Sequence, residues 1–147
     1  MNIRISSPVF ARIVALAAKS PAEEICGLLL ANDGSPWDRI DSILPAANVA
    51  PDPARFFEID PQTLIRAHRA QRSGGPRIIG SYHSHPGGNP SPSAQDARQA
   101  ASDGALWLIV AGPPWTATLW RAVQGGAVHG RFDPVALRIE SRATPDP

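Results

Sequence analysis

The chain has 147 residues, a length that suits one domain and leaves little room for a second. Hydrophobic residues make up 43% of it and charged residues 18%, which is enough apolar material to form a core and excludes wholesale disorder. Fourteen basic and thirteen acidic residues give a net charge of +1, without the basic stripe that a nucleic-acid-binding protein usually carries.

Cysteine usage and the length of apolar runs exclude two further classes. Cys26 is the only cysteine, so an internal disulfide framework and a multi-cysteine zinc ribbon are excluded, and any metal site must use His, Asp and Glu. No apolar run approaches the ~20 residues that cross a bilayer. The stretch 13–18 is shorter than a signal-peptide core of roughly 7–15 residues, and its spacing favours an amphipathic helix. The sequence therefore predicts a cytoplasmic protein with a reduced thiol.

Periodicity, turn residues and helix caps predict alternating strands and helices. Ser7 followed by Pro8 indicates a helix start, and Asp60 with Pro61 repeats that pattern. The apolar run 25–31 is typical of a buried central strand, which an Asp-Gly turn joins to an alternating partner. In chain order we expect a strand over 2–5, a helix over 7–19, strands over 25–31, 37–44 and 56–59, a helix from 61 to the glycines at 74–75, a strand over 77–83, a helix over 93–101, and strands over 106–111, 116–123, 127–132 and 135–141.

These elements predict a mixed α/β fold in which helices flank a sheet. We expect one domain over residues 1–142. The residues 143–147 are polar and proline-rich, and they are predicted to form a disordered tail.

Two histidines at the end of one predicted strand are the most informative feature. His83 and His85 stand at i and i+2 and therefore project from the same face. Pro86 ends the strand, and a helix capped by Ser93 places Asp96 in its first turn, where the helix dipole favours a carboxylate. Three such side chains can hold one metal ion and leave a fourth tetrahedral position for water, as in catalytic zinc sites. Zinc would lower the pKa of that water to roughly 7.

A hydrolase of this kind also needs a group that takes a proton from water and delivers one to the leaving amine. Glu24, at the start of the apolar strand, suits this role if that strand neighbours the strand of the histidines. Each feature alone has a simpler explanation. A His-x-His pair is often structural, Ser93 and Asp96 can form only a helix cap, and Glu23 with Glu24 can be a solvated approach to the strand. Their combination at this spacing favours the metal site.

The combined pattern resembles the JAMM (MPN-plus) metalloprotease family, compact prokaryotic type. That family's motif is an upstream Glu, then His-x-His-Pro, six residues and Ser-x-x-Asp, and it is complete here in Glu24, His83, His85, Pro86, Ser93 and Asp96. The family context E-x-C-G-L-L fits residues 24–29. The resemblance runs from Pro21 to about Val110 and implies the family's α/β fold, related to that of cytidine deaminases. A deaminase itself is not expected, because its zinc site needs a P-C-x-x-C element.

The resemblance implies a role for each motif residue. His83, His85 and Asp96 would bind Zn²⁺, and Glu24 would act as general base and then general acid. Ser93 would donate a hydrogen bond to the oxyanion that develops on the scissile carbonyl.

The resemblance also implies a substrate class: the peptide or isopeptide bond after the Gly-Gly C-terminus of a ubiquitin-like or sulfur-carrier protein. The short spacing from Asp96 to Trp107 leaves no room for the second insertion found in deubiquitinating members. We expect the tail to add to an exposed strand edge, with the segment 37–44 and the loop after His85 as candidates.

Two other functions stay open on the sequence alone. One is a non-catalytic scaffold that binds a partner protein, and the other is a zinc amidohydrolase acting on a different peptide. Outside the motif, Cys26 is expected to be an inert buried thiol, and His68 and His129 are expected at the surface. The tryptophans in or beside strands are assigned to the core, namely Trp107, Trp115 and Trp120. The sequence makes no prediction of the oligomeric state.

Overall fold

A computed structural model describes residues 2–141, so the predicted tail over 143–147 lies outside the described residues. In chain order, the elements are β1 (Asn2–Ser6), α1 (Ser7–Ala18), β2 (Cys26–Ala31), β3 (Arg39–Ile40), β4 (Ser42–Ala46), α2 (Pro61–Arg72), β5 (Arg77–Pro86), α3 (Ala94–Gln99), β6 (Leu106–Gly112), β7 (Thr116–Gly126) and β8 (Gly130–Glu140). None of these helices is long and apolar enough to span a membrane.

The strands form one mixed sheet in the order β3-β1-β8-β7-β6-β5-β2-β4. At its centre β5 pairs in parallel with β6 and antiparallel with β2. The two ends of this order, β3 and β4, are separated in the chain only by Asp41, whose N–H donates to the Leu30 carbonyl at 2.9 Å. The sheet therefore curls so that its two edge strands come from one continuous segment, residues 39–46.

Helices cover both faces of this curled sheet, which confirms the predicted fold class. α1 packs on the inner face, against a fully buried cluster drawn from alternate strand positions: Ile3, Ile5, Leu29, Tyr82, Leu108 and Val110. On the outer face, Ala67 of α2 packs against Leu28 and Leu30. Ala97 of α3 joins a second outer cluster with Trp107 and Phe132. Period-two alternation thus assigns each strand residue to the inner or the outer face of the sheet.

The N-cap of the N-terminal helix lies one residue before the predicted cap. Ser6, rather than Ser7, is the N-cap, and its Oγ accepts a hydrogen bond from the Val9 N–H at 3.3 Å. Pro8 still lies in the first turn, where its missing N–H removes no helical hydrogen bond.

The predicted strand over 37–44 pairs with β2 as expected only in its second half. Residues Arg39–Ile40 pair in parallel with β1, and Ser42–Ala46 pair antiparallel with β2. Both halves alternate in hydrophobicity, so the pattern predicts one strand. Because the sheet curls, the two halves pair with different strands.

Two further elements differ from expectation. The predicted strand over 56–59 is reduced to a single bridge between Asn48 and Ile59. The segments 127–132 and 135–141 merge into β8, which follows a turn where His129 has a positive φ of 53°. His68 and His129 are exposed, as expected, while Trp107 is buried and Trp115 and Trp120 pack against the two clusters.

Candidate metal centre

The two histidines project from the outer face of β5. His83 lies opposite Cys26 of β2 and Ile109 of β6, so its side chain is enclosed by strands on both sides. It is fully buried, and His85 is 9% exposed. After β5 ends, Gly87 and Gly88 adopt φ values of 101° and 90°, a left-handed region that favours glycine, and the chain turns back toward α3.

Three side-chain atoms converge at the end of β5. The Nε2 atoms of His83 and His85 lie 3.0 Å apart, and Asp96 Oδ2 lies 3.2 Å from the first and 3.1 Å from the second. Ligand atoms at the corners of a tetrahedron around zinc are about 3.3 Å apart, given zinc–ligand bonds of ~2.0–2.1 Å. The spacing of these three atoms therefore fits a tetrahedral ion.

A capping box at the start of α3 holds Asp96 in place. The Ser93 N–H donates to Asp96 Oδ2 at 2.9 Å, and the Asp96 N–H donates to Ser93 Oγ at 2.9 Å. Helix capping and ligand placement are thus the same interaction, so the two interpretations of Ser-x-x-Asp do not compete. Burial acts against ionisation, but hydrogen bonds from the two histidines hold the pKa of Asp96 well below its usual range.

The surroundings of the two imidazoles act on their protonation in opposite directions. His85 Nδ1 donates to the Asn89 carbonyl at 2.6 Å, which leaves the lone pair of Nε2 free to face the centre. Burial lowers the pKa of His83, against the opposing effect of Asp96, so its ring is neutral near pH 7. Burial opposes protonation of His85, but Asp96 and the Asn89 carbonyl raise its pKa overall. In the tautomer with hydrogen on Nδ1, each imidazole turns the lone pair of Nε2 toward Asp96 Oδ2, and two such lone pairs beside a carboxylate suit a cation.

Glu24 lies beside the three converging atoms, two residues before β2 begins. It is 6% exposed, and one carboxylate oxygen lies with ligand atoms of His83 and His85 in a group spanning at most 4.8 Å. Its Oε1 has no hydrogen-bond partner within residues 2–141. Burial raises the pKa of Glu24 to about 8, with His85 opposing this rise and Asp96 adding to it. Either carboxylate could therefore complete a metal site with the two histidines, and Asp96 lies closer to both.

Two aromatic rings pack against the imidazole of His83. Phe57 stacks on its imidazole with ring centroids 4.2 Å apart and an angle of 19°, and Trp107 meets it edge-on at 5.7 Å. Cys26 lies on the same face but is buried. Burial and then the Glu24 charge raise the pKa of its thiol to about 12, so it is an inert thiol as expected.

Three residues around this centre are absent from the sequence-based prediction: Ser84, Phe57 and Asn48. Ser84 gives a signal, because a polar residue between two histidines on a buried strand needs a hydrogen-bond partner. Its Oγ accepts the Ile25 N–H at 2.8 Å, next to Glu24. Phe57 and Asn48 give no comparable signal, since nothing in the local pattern links them to the histidines.

Comparison with known proteins agrees with this geometry. The model of the family "Prokaryotic homologs of the JAB domain" matches residues 6–123. A desampylase from Haloferax volcanii is 36% identical over 93 residues, which are 63% of this chain and 66% of that protein. A CysO-cysteine peptidase from Mycobacterium tuberculosis is 29% identical over 98 residues, or 67% of this chain and 65% of that protein. The matches thus cover less than two thirds of these relatives.

Solved structures share the fold. A protein from Desulfitobacterium hafniense, determined in solution, superposes with a TM-score of 0.78 and 22% identity over 97% of this chain and 94% of that one. A JAB1/MPN domain protein from Archaeoglobus fulgidus gives a TM-score of 0.58 at 18% identity, over 92% and 99%. At these identities the likeness concerns the fold. Together with the family match, it shows that the chain belongs to the prokaryotic JAB family, a branch of the JAMM/MPN proteins.

Proposed function

We propose that this chain is a zinc-dependent peptidase or isopeptidase that hydrolyses the bond after the Gly-Gly C-terminus of a ubiquitin-like or sulfur-carrier protein. One observation carries the proposal: the ligand atoms of His83, His85 and Asp96 converge within 3.2 Å of one another, with the buried Glu24 carboxylate beside them. The names of the relatives, desampylase and CysO-cysteine peptidase, favour a protein conjugate as substrate.

His83, His85 and Asp96 would hold the ion, because their three atoms have the spacing of a tetrahedral site, whose fourth position would be left for water. Zinc bound there supplies Lewis-acid chemistry, polarising the scissile carbonyl and making water a stronger acid. The aromatic wall of Phe57 and Trp107 excludes water behind His83, which strengthens electrostatic interactions at the centre.

Glu24 would transfer the protons. Its Oε1 has no partner in the described part of the chain and is free to accept a proton from the attacking water. The same oxygen then delivers that proton to the leaving amine, which departs as a neutral group. Burial raises the pKa of this carboxyl above its usual range, which suits the delivery of a proton to the amine.

Ser93 would stabilise the oxyanion. Its Oγ already accepts the Asp96 N–H, so its own hydroxyl hydrogen remains available to donate. Two segments are candidates for binding the Gly-Gly tail. The loop after His85 lies next to the centre, because its Asn89 carbonyl accepts a hydrogen bond from His85 Nδ1. In the segment 37–44, only the part in β4 continues toward Glu24, since Ala46 at the end of β4 pairs with Cys26.

Cleavage of a panel of fusions tests the proposal. Each substrate joins one ubiquitin-like or sulfur-carrier protein through Gly-Gly to a reporter, and each reaction is repeated with a chelator and after zinc is restored. We expect zinc-dependent cleavage directly after Gly-Gly in at least one fusion. Failure to cut any fusion by zinc-loaded protein would contradict the substrate class and favour another amide or a scaffold role.

A further inference from the structure

We propose that Asn48 is a positioning residue, whose side-chain amide fixes Glu24 beside the metal centre and ties it to the aromatic ring that covers His83. The inference rests on the proposed function, since it assigns a role in proton transfer through Glu24. It concerns a residue that belongs to no part of the Glu, His-x-His-Pro and Ser-x-x-Asp motif.

Glu24 needs such support because it lies outside the strand ladder. β2 begins at Cys26, so the pairing between strands leaves Glu24 unrestrained. Four hydrogen bonds hold this part of the backbone instead, one of them from the Ser84 N–H to the Ile25 carbonyl at 3.0 Å. The Glu24 N–H donates to the Pro53 carbonyl at 2.8 Å, the Ile25 N–H donates to Ser84 Oγ at 2.8 Å, and Asn48 Nδ2 donates to the Glu24 carbonyl at 2.9 Å.

Asn48 uses the full hydrogen-bonding capacity of its amide. Nδ2 donates to the carbonyls of Glu24 and Phe56, both at 2.9 Å. Oδ1 accepts the N–H groups of Ala50 at 3.0 Å and Glu58 at 3.1 Å. Two donated and two accepted bonds at one position require an amide, because a carboxylate of the same shape offers no donor.

The second half of this network leads to a metal ligand. Asn48 binds the backbone of Phe56 and Glu58, the two neighbours of Phe57, and the Phe57 ring stacks on His83 at 4.2 Å. One half-buried side chain therefore connects the residue that would transfer protons with the ring that packs on a ligand. A displacement of about 1 Å at a reacting group can cost on the order of 100-fold in rate, so this connection bears directly on catalysis.

Asn48 makes none of these bonds to the histidines or to Asp96. Replacing it should therefore leave metal binding intact while Glu24 loses its fixed position. A residue needed only for folding would lower the amount of native protein and leave the turnover of that native protein unchanged.

The variant Asn48→Asp keeps the shape and removes both donors, and Asn32→Asp, in the exposed turn after β2, is the matched control. We expect Asn48→Asp to keep one zinc per chain, to lower kcat about 10–100-fold and to change KM by less than about threefold. Asn32→Asp should behave as the wild type. A wild-type kcat in zinc-loaded Asn48→Asp, or a change confined to KM, would overturn the proposal.

A double-mutant cycle separates positioning from general damage. In the Glu24→Asp background, where the shorter carboxylate is already displaced, Asn48→Asp should add less than about threefold to the loss of kcat. Full multiplication of the two effects would show that Asn48 does not act through Glu24.

A measurement without substrate keeps this inference distinct from the proposed function. Backbone hydrogen exchange at Glu24 should accelerate in Asn48→Asp and in Asn48→Ala, while the amides of β5 and β6 keep their protection. Exchange at Ala50 and Glu58 should accelerate in Asn48→Ala, which also removes their acceptor Oδ1. If the wild type cleaves no fusion, the proposed function fails on its own, and unchanged exchange at Glu24 in both variants would then refute the positioning role.

Discussion

Glu24 combines two properties that rarely occur together in a side chain. It is almost fully buried, and its Oε1 has no partner among the residues described. A buried carboxylate oxygen left without a hydrogen bond costs stability, so its position beside two histidines supports the role proposed above. The neighbouring Asp96 is the opposite case, since its Oδ2 accepts the Ser93 N–H and lies within 3.2 Å of the Nε2 atoms of both histidines.

Removing the proton-transfer capacity of Glu24 should separate catalysis from metal binding. We expect Glu24→Gln to keep one zinc per chain and to lose about 100- to 10,000-fold in kcat, because an amide of the same size cannot take up the proton. Metal analysis and cleavage of a Gly-Gly fusion measure the two effects. Loss of zinc in this variant would show that Glu24, and not only Asp96, is a ligand.

Glu24 should also make the stability of the metal-free protein depend on pH. Its pKa is about 8 in the folded protein and near the usual value of 4.5 when unfolded, so its favourable contribution is complete below pH 4.5 and lost as the pH rises to about 8. In a chelator, Glu24→Gln should therefore exceed the wild type in free energy of unfolding by a few kcal/mol above pH 8 and match it near pH 4. Urea unfolding across this range is the test, and a pH-independent difference would contradict it.

At the scale of elements, the Tyr82 side chain of β5 lies so close to β2 that one position of β2 has no space for a Cβ. Gly27 lies opposite Tyr82, and a Cβ at Gly27 would overlap the Tyr82 ring. The pairing of β2 with β5 is also what brings Glu24 to the histidines. The glycine of E-x-C-G-L-L is therefore a packing requirement of the strand pair that assembles the site.

Gly27→Ala should destabilise the protein by about 1–3 kcal/mol through this overlap. Thermal or urea unfolding measures the loss. Combining it with Tyr82→Leu, which removes the ring, should cost less than the sum of the two single changes. If the two changes in free energy of unfolding are strictly additive, the added methyl group and the Tyr82 ring do not contact each other.

The elements also show which sequence patterns predict structure and which do not. The unit from His83 to Asp96 is a strand end, a glycine turn and a capped helix, so its geometry follows from spacing within one short segment. The segment 37–44 alternates just as clearly, yet it divides between β1 and β2 because the sheet curls. Alternation specifies which face a residue occupies and carries no information about its partner strand.

For the whole molecule, a bound ion would join β5 to α3 and couple metal binding to folding. A ligand that binds only the folded state adds about 4 kcal/mol at a thousand times its Kd, so zinc should raise the Tm of the chelator-treated protein. Asp96→Ala should abolish most of this rise together with activity, because two histidines alone hold zinc weakly. Asp33→Ala, in the exposed turn after β2, is the control. Full zinc-dependent stabilisation in Asp96→Ala would point to Glu24 as the third ligand.

The sequence by itself determined the alternation of helices and strands, the mixed α/β class and the convergence of His83, His85 and Asp96, because each depends on spacing within a short stretch of chain. Only the tertiary structure decided how Glu24 reaches that centre, how Asn48 holds it, and how Phe57 covers His83. These contacts join segments far apart in the chain, and they depend on strand pairing and on the curl of the sheet. Such pairings arise from the packing of the whole domain, which no local pattern encodes.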